Sequence, residues 1–433
     1  MMSNSNVPYA NSSVFPMDEL NAEFALFNQE VTIEIEYEKI KYQFKSKIKF
    51  KWLVSPRVEF MITVDNTSFL KIVKDKWLLC KIKIQELNIE VEIQFFRVEG
   101  HSFGDKEFIV WAYSNSDVEF KKNSKVQYIK FQLVNFYEFL GEFWAYFPER
   151  KVNSKCRNLF EADEFDVILD SVENASEKYN MLQREGGFIS THVGLICKKD
   201  HSNFNLTNIE SLLKRLYCFF SFLRGSWTPL LFISGYDEED NLVYQKWNAL
   251  NFFKTGERID SYGFTIPIVE YHETEHLVEV FKTIYLLPDD KFNFFCKVLE
   301  FYVEGSRNYI SKKVNLAMLI CGIDNIDLLV NPKSKKKEGI KNLFSKHNYN
   351  YQDFSSLNEL DFFAKTNNIT DGIWAVIEVR NSIIHSDNRI QNNQTIEEAY
   401  FLALEYLKTG ILFYIEYFGK SKNFIEDYIN ARI

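Results

Sequence analysis

The stretch Ile377-Glu378-Val379-Arg380-Asn381-Ser382-Ile383-Ile384-His385-Ser386-Asp387 places an arginine, an asparagine and a histidine inside an apolar helical pattern near the C-terminus. From about Thr370 onward, Ile373, Val376, Ile377 and Ile384 recur at three- and four-residue steps, which predicts a helix with one stripe toward a core. Arg380 falls on that stripe. A guanidinium stays charged in any protein setting and is costly to bury unpaired, so it calls for a carboxylate or a bound anion. Five residues turn a helix by about 500°, roughly 140° past one full turn, so Arg380 and His385 converge only if the helix ends between them. Ser386-Asp387-Asn388 supplies a stop, because such side chains compete with the helical backbone.

Outward from this stretch, helical patterns run almost without interruption from a boundary near Tyr262–Tyr271. The spacing predicts helices over 274–287, 289–304, 306–329, 336–347, 355–365, 371–385 and 395–418, with a short one after Asn423. Pro288 before Asp289-Asp290 is a break and a restart. Between two of these helices, Asn331-Pro-Lys-Ser-Lys-Lys-Lys337 is a compact basic loop. Lys333, Lys335, Lys336 and Lys337 are candidates for contact with an RNA backbone, since clustered Lys neutralises phosphates without reading bases; the other reading is a solvated linker.

The N-terminal half has a different period. Val31-Thr-Ile33-Glu-Ile35-Glu-Tyr37 alternates apolar and polar residues as a half-buried strand does. Similar runs at 42–50, 58–64, 77–84, 89–96, 108–112, 126–133, 165–172, 188–197, 227–233 and 242–247 predict a sandwich or a partly closed barrel. Thr207-Asn-Ile-Glu210 and the helical spacing of Leu212, Leu216, Phe219, Phe220 and Leu223 predict one helix docked on this β-rich domain. The alternating Lys41, Lys45, Lys47, Lys49 and Lys51 read as the solvated side of an antiparallel sheet, or as a basic face for a polyanion. The loop Gly235–Asn241 reads as an acidic hairpin tip. The fold class is therefore α+β: a flexible segment over 1–28, a β-rich domain over 29–268, and an all-α domain over 269–433.

Composition sets the outer limits. At 433 residues, with 46% hydrophobic content and 41 Phe, the chain can bury two sizeable cores. A net charge of −9 argues against a general nucleic-acid coat, so any RNA contact is a local basic patch. No signal-peptide pattern opens the sequence and no apolar run approaches the ~20 residues that cross a bilayer. The six Cys are scattered without a CxxC pair, as free thiols in a reducing cytoplasm would be.

A second motif competes with the first. His272-Glu273-Thr274-Glu275-His276 matches H-E-x-x-H, in which two His one helical turn apart bind zinc and Glu273 polarises a water. Against it stand the charged Glu275 directly before the second His and the lack of a third ligand before Pro288. Glu270, Glu273 and Glu275 also read as acids favoured at a helix N-terminus. No Gly-rich phosphate loop and no GxSxG elbow occurs, so nucleotide-driven chemistry is unsupported and no cofactor is expected.

Arg380-Asn381-x-x-x-His385, near the end of a helix in an all-helical C-terminal region, resembles the R-x(4–6)-H motif of HEPN ribonucleases. The β-rich first half, the segment Ser221-Phe-Leu-Arg-Gly225 and the overall layout resemble the ApeA-type anti-phage HEPN proteins. With 12 Arg and 7 His, the bare motif arises about 0.6 times by chance, and requiring four intervening residues with Asn after the Arg lowers that about fortyfold.

The resemblance implies a metal-independent endoribonuclease that acts on RNA, tRNA being one candidate, in abortive-infection defence against phage. It implies a homodimer or larger even oligomer whose two motifs form one composite site, and a phage-derived trigger at the N-terminal domain. Arg380 would hold the phosphate and stabilise charge on the phosphorane, His385 would move the proton, and Asn381 would orient the phosphate or the imidazole. Glu378 is a candidate tether for Arg380. Two other function classes stay open: a catalytically inactive HEPN used for binding or assembly, and a zinc hydrolase built on His272, Glu273 and His276.

Overall fold

The structure, a computed structural model, describes residues 8–15, 17–27, 29–52, 57–65, 69–70, 73, 79–100, 108–115, 118–123, 125–136, 141–247, 274–307, 311–333, 337–385, 389–390, 392–419 and 423–430. The chain divides into two compact units, Met1–Ser211 with Pro229–Ile259, and Leu212–Thr228 with Asp260–Ile433. The expected boundary at 268/269 lies outside the described residues.

In the first unit, strands β1 (Phe24–Ala25), β2 (Val31–Tyr37), β3 (Ile40–Lys51), β4 (Arg57–Val64), β5 (Leu79–Ile84), β6 (Ile89–Gly100) and β7 (Phe108–Ser114) form one antiparallel sheet. The twelve-residue β3 pairs with β2 on one edge and β4 on the other, so β3-β2-β5-β6-β7-β4 closes into a six-stranded barrel. The alternation read from the sequence fills it: Ile33, Ile48, Phe50, Phe60, Ile62, Ile84, Ile93 and Val110 are fully buried. A barrel this narrow is packed solid by its inward side chains. The two-residue turn between β2 and β3 uses Glu38 and Lys39 at φ 49° and 67°, the left-handed pair that matches hairpin twist. The lysine row is the solvated face, and acids answer it: Lys41 pairs with Glu34 at 2.7 Å and Lys47 with Glu30 at 3.6 Å.

A second sheet holds β8 (Val118–Lys121), β10 (Tyr128–Val134), β11 (Phe143–Phe147), β12 (Val152–Ala162), β13 (Phe165–Ser171), β14 (Ser190–Lys198), β16 (Leu231–Tyr236) and β17 (Leu242–Trp247), in the order β11-β12-β13-β14-β10-β16-β17-β8. The short β9 (Lys125–Val126) and β15 (Phe204–Asn205) pair separately. The acidic loop is the β16–β17 hairpin tip, where Asp237 accepts the backbone N–H groups of Glu239 and Asn241.

Two expectations for this unit need correction. Residues 8–27 are not a loose tail: Asn11 N–H donates to Asp170, Phe15 N–H to Gln132, and Met17 is buried. Buried acceptors on the sheet take up this segment's backbone donors, and that ties it down. The helix docked on the β-rich unit is α1 (Ala175–Glu185), whose Leu182 is fully buried and whose Lys178 ammonium donates to the Met17 carbonyl. The expected helix, α2 (Glu210–Arg224), instead belongs from Leu212 onward to the helical unit. Its apolar side chains surround the helix, so one sheet face cannot cover them, and Phe219 and Phe222 pack on Phe281 and Phe295 with ring centroids 5.3 and 5.9 Å apart.

The helical unit continues with α3 (Thr274–Tyr285), α4 (Asp289–Gly305), α5 (Lys312–Val330), α6 (Glu338–Lys346), α7 (Asn358–Thr366), α8 (Gly372–Ile384), α9 (Asn393–Tyr414) and α10 (Phe424–Asn430). These match the periodicity closely. The centre is α9, buried on nearly every side, and its charged residues are satisfied there: Lys408 bonds Glu405 at 2.8 Å, and Glu398 accepts from the first N–H groups of α7. Gly322 of α5 lies against Leu407, where a Cβ would approach Cδ2 to 2.7 Å. Among the described residues no helix is long and apolar enough to cross a membrane.

Candidate active site

Helix α8 begins at Asp371, whose carboxylate accepts the Trp374 N–H at 2.8 Å and also pairs with Lys341 at 2.8 Å. The stripe behaves as read through Ile373, Val376 and Ile377, all buried. It then leaves the bundle. Arg380 is half-buried and Ile384, expected inside, is 56% exposed.

The helix does not end between Arg380 and His385. It runs to Ile384, His385 caps it, and His385 N–H still bonds the Asn381 carbonyl at 2.9 Å. An intact last turn sets the two side chains about 140° apart around the axis, so within one chain they occupy different faces. His385 is exposed; Ser386, Asp387 and Asn388 lie outside the described residues.

Arg380 makes no hydrogen bond or ion pair among the described residues, and its Nε is buried without a partner. It lies near Cys321 of α5, where burial and Asp324 push the thiol pKa up while Arg380 and Lys337 pull it back. The expected tether is corrected. Glu378 accepts from Asn381 Nδ2 at 3.2 Å and from Arg389 at 3.0 Å, and its carboxylate is thereby taken. Arg389, which sequence reasoning missed, stands eleven positions from Glu378 and donates to its carboxylate. Nothing in the local pattern announces that pair.

The basic loop is also corrected in part. Lys337 sits at φ 62° before α6 and reaches back to Asp324 of α5 at 2.6 Å, so it fastens α6 to α5 rather than standing free for phosphate. Lys333 is exposed, and Lys335 and Lys336 lie outside the described residues. Of the zinc motif, His272 and Glu273 lie outside them too. His276 is on α3, its Nδ1 3.5 Å from Glu279 and its ring near Tyr417. Among the described residues no group of three or more His, Cys, Asp or Glu gathers as a metal set.

Fold and site define a two-unit α+β protein: a β-rich unit with a closed barrel, and a helical unit in which Arg380, without an ion pair among the described residues, lies one turn before the capping His385. Two family models match the chain, the YopA central domain over residues 121–255 and the YopA C-terminal domain over 327–432, the latter containing the Arg380–His385 segment. The chain is similar to the SPbeta prophage-derived uncharacterized protein YopA of Bacillus subtilis (strain 168), at 25% identity over 308 residues, covering 67% of this chain and 68% of that protein. No solved structure matches.

Proposed function

We propose that this protein is a metal-independent endoribonuclease acting as a symmetric pair, with Arg380 and His385 of two copies forming one composite site. The observation that carries the reading is Arg380. A half-buried guanidinium with an unbonded Nε is an unfavourable arrangement by itself, and a bidentate phosphate is the ligand that relieves it. His385 is exposed at the helix end, where its imidazole can reach a substrate. Because one chain presents the two side chains on different faces, a second copy is the simple way to bring an arginine and a histidine to one phosphate.

In this mechanism the histidine takes the proton of the ribose 2′-OH, the oxygen attacks the adjacent phosphorus, and the 5′-oxygen leaves as it is protonated. The products are a 2′,3′-cyclic phosphate and a 5′-OH. Arg380 stabilises charge developing on the phosphoryl oxygens, and Asn381, held by Glu378, orients the phosphate. Lys333 supplies backbone contact at the periphery. The prophage origin of the similar protein accords with a role in conflict between phage and host, where RNA cleavage stops growth. The β-rich unit is then the sensor of a phage-derived trigger.

The test is RNA integrity on expression, end-group analysis and oligomer mass for the intact chain and His385→Ala. We expect cleavage in an even oligomer with 5′-OH ends, unaffected by EDTA. His385→Ala should abolish it, a loss of at least about 10²-fold, without changing fold or mass. Cleavage retained in His385→Ala, 5′-phosphate ends, or a strictly monomeric active protein would sink the reading.

A further inference from the structure

Two of the chain's six cysteine sulfurs meet. Cys218 of α2 and Cys296 of α4 stand 3.4 Å apart, sulfur to sulfur, although 78 positions separate them in the sequence. The contact lies in the middle of a helix pair that is held on both sides. One turn before Cys218, Arg215 lies over the Phe292 ring at 4.3 Å and is anchored by the Ile284 carbonyl at 2.9 Å and by Asp289 at 3.1 Å. One turn after it, Phe222 packs on Phe295 and on Tyr302, with centroids 5.9 and 5.4 Å apart. The two helices therefore run in the same direction here, and their neighbours keep the sulfurs facing each other.

The two thiols differ in their surroundings. Cys218 is buried, whereas Cys296 is half-buried, with part of its surface open to solvent. The hydrogen bond from Cys218, followed by the nearby cations Lys214 and Arg215, lowers the Cys296 pKa against burial and Glu300. The same contact, with burial, raises that of Cys218. In the other four cysteines burial is the leading influence: it pushes Cys80 and Cys156 up to about 12 and raises Cys197 and Cys321. The thiolate is the nucleophilic form, and a partly exposed sulfur among cations is where it forms. Cys296 is thus the attacking sulfur, with Cys218 beside it.

We propose that Cys218 and Cys296 form an oxidation site, which hydrogen peroxide converts to a reversible disulfide fastening α2 to α4. The Cys296 thiolate attacks one peroxide oxygen: the S–O bond forms, the O–O bond breaks, and the leaving hydroxide takes up the proton that Cys296 had lost. The Cys218 sulfur then attacks the sulfenic sulfur of Cys296. The S–S bond forms, the S–O bond breaks, and the oxygen leaves as water with the Cys218 proton. Two thiols have lost two electrons, and one peroxide has become two waters. The sulfurs must close by about 1.4 Å to reach a bond of about 2.05 Å, which side-chain rotation and a small approach of the helices supply. A crosslink between residues so far apart in sequence restricts the unfolded chain, so the oxidised protein resists unfolding better. Thiol exchange reverses it. Neither Arg380 nor His385 takes part, so the site stands apart from the ribonuclease reading.

Treatment of the full chain with hydrogen peroxide, then alkylation, non-reducing digestion and mass spectrometry, tests this. We expect one intrachain disulfide joining the Cys218 and Cys296 peptides, with loss of two of the six free thiols and their return on adding dithiothreitol. The oxidised chain should melt about 4 °C or more above the reduced one. Two variants separate the roles of the sulfurs. Cys218→Ser should leave a sulfenic acid on Cys296 that dimedone traps, whereas Cys296→Ser should leave Cys218 unoxidised. Peptide mapping of the unaltered chain decides the linkage whether or not these variants fold. Both thiols alkylated after peroxide, Cys296 carried on to sulfinic acid with Cys218 free, or coupling of two chains through the exposed Cys321 as the sole product overturns the proposal. So does a dimedone adduct on Cys218 in Cys296→Ser, or an oxidised chain that melts no higher than the reduced one.

Discussion

On the proposed ribonuclease reading, replacing Arg380 by Met should make the protein more stable while RNA cleavage is lost. Met keeps much of the length and apolar packing of the arginine stem and removes the charge and the buried Nε. An unsatisfied buried donor costs about 1–3 kcal/mol, and a partly desolvated guanidinium without a carboxylate adds to that. Some of the gain is offset by imperfect packing of the thioether, which leaves an expected stabilisation of about 1 kcal/mol. For a unit of this size that is a rise of about 2–4 °C in Tm. Thermal unfolding by circular dichroism, in parallel with a cleavage assay, measures both quantities. If Arg380 were instead a structural residue, Arg380→Met would be destabilised by 2 kcal/mol or more and activity would fall only with the fold. That outcome refutes the reasoning. Arg380→Lys refines it: the charge remains but the planar fork is gone, so cleavage should still fall steeply.

Gly339→Ala should destabilise by about 2–3 kcal/mol in urea melts, although alanine favours a helix by about 1 kcal/mol. Its Cβ would lie 2.2 Å from the Asp327 carbonyl oxygen, a backbone atom of α5 that cannot move without unseating α6. His192, fully buried between Ser171 and Thr191, has its pKa lowered to about 3 by burial. Its folded value lies below the unfolded one, so its contribution is fully present above about pH 6.5 and is lost as pH falls toward 3. By pH 5 that is about 2 kcal/mol, taking roughly 1.4 kcal/mol per unit. His192→Gln should flatten the stability profile between pH 7 and 5, and an unchanged slope would exclude His192 as its source.

The helical unit was legible because its signal is local. Apolar residues at three- and four-residue steps need no distant partner to be recognised, and α3 to α9 appear where the period places them. The same holds for β2 to β7, whose strict alternation packs a barrel interior. Legibility fails where polar residues carry the structure. Strand β12 was missed because Asn158 replaces an apolar residue on its inward face, between Cys156 and Phe160, and is nonetheless fully buried. Helix α1 was missed because only Lys178 and Leu182 of its eleven residues are buried, too few to make a stripe. In the other direction, α2 was recognised as a helix but assigned to the wrong unit. Its all-round apolar surface says that it is buried, and says nothing of what buries it.

The site has the same division, and it turns the arginines into an argument. Position on the stripe identified Arg380, but which carboxylate each cation takes is settled by contacts across the fold. Glu378 was free to be assigned to Arg380 until Arg389 was seen to hold it. In the helical unit Arg215 pairs with Asp289, Arg307 with Glu304 and Arg389 with Glu378, and the buried Arg224 likewise has an Nε without a hydrogen bond, while Arg380 has no ion pair among the described residues. A shortage of acid is no explanation, since the chain carries 60 Asp and Glu against 51 Lys and Arg. In a protein with surplus negative charge, a partly desolvated guanidinium without a carboxylate has been left without one by the packing around it. On the proposed reading, the charge it lacks among the described residues is supplied by a bound phosphate. A phosphate would satisfy the geometry of the fork, and under the proposed reading the net negative charge of the chain keeps polyanion contact local.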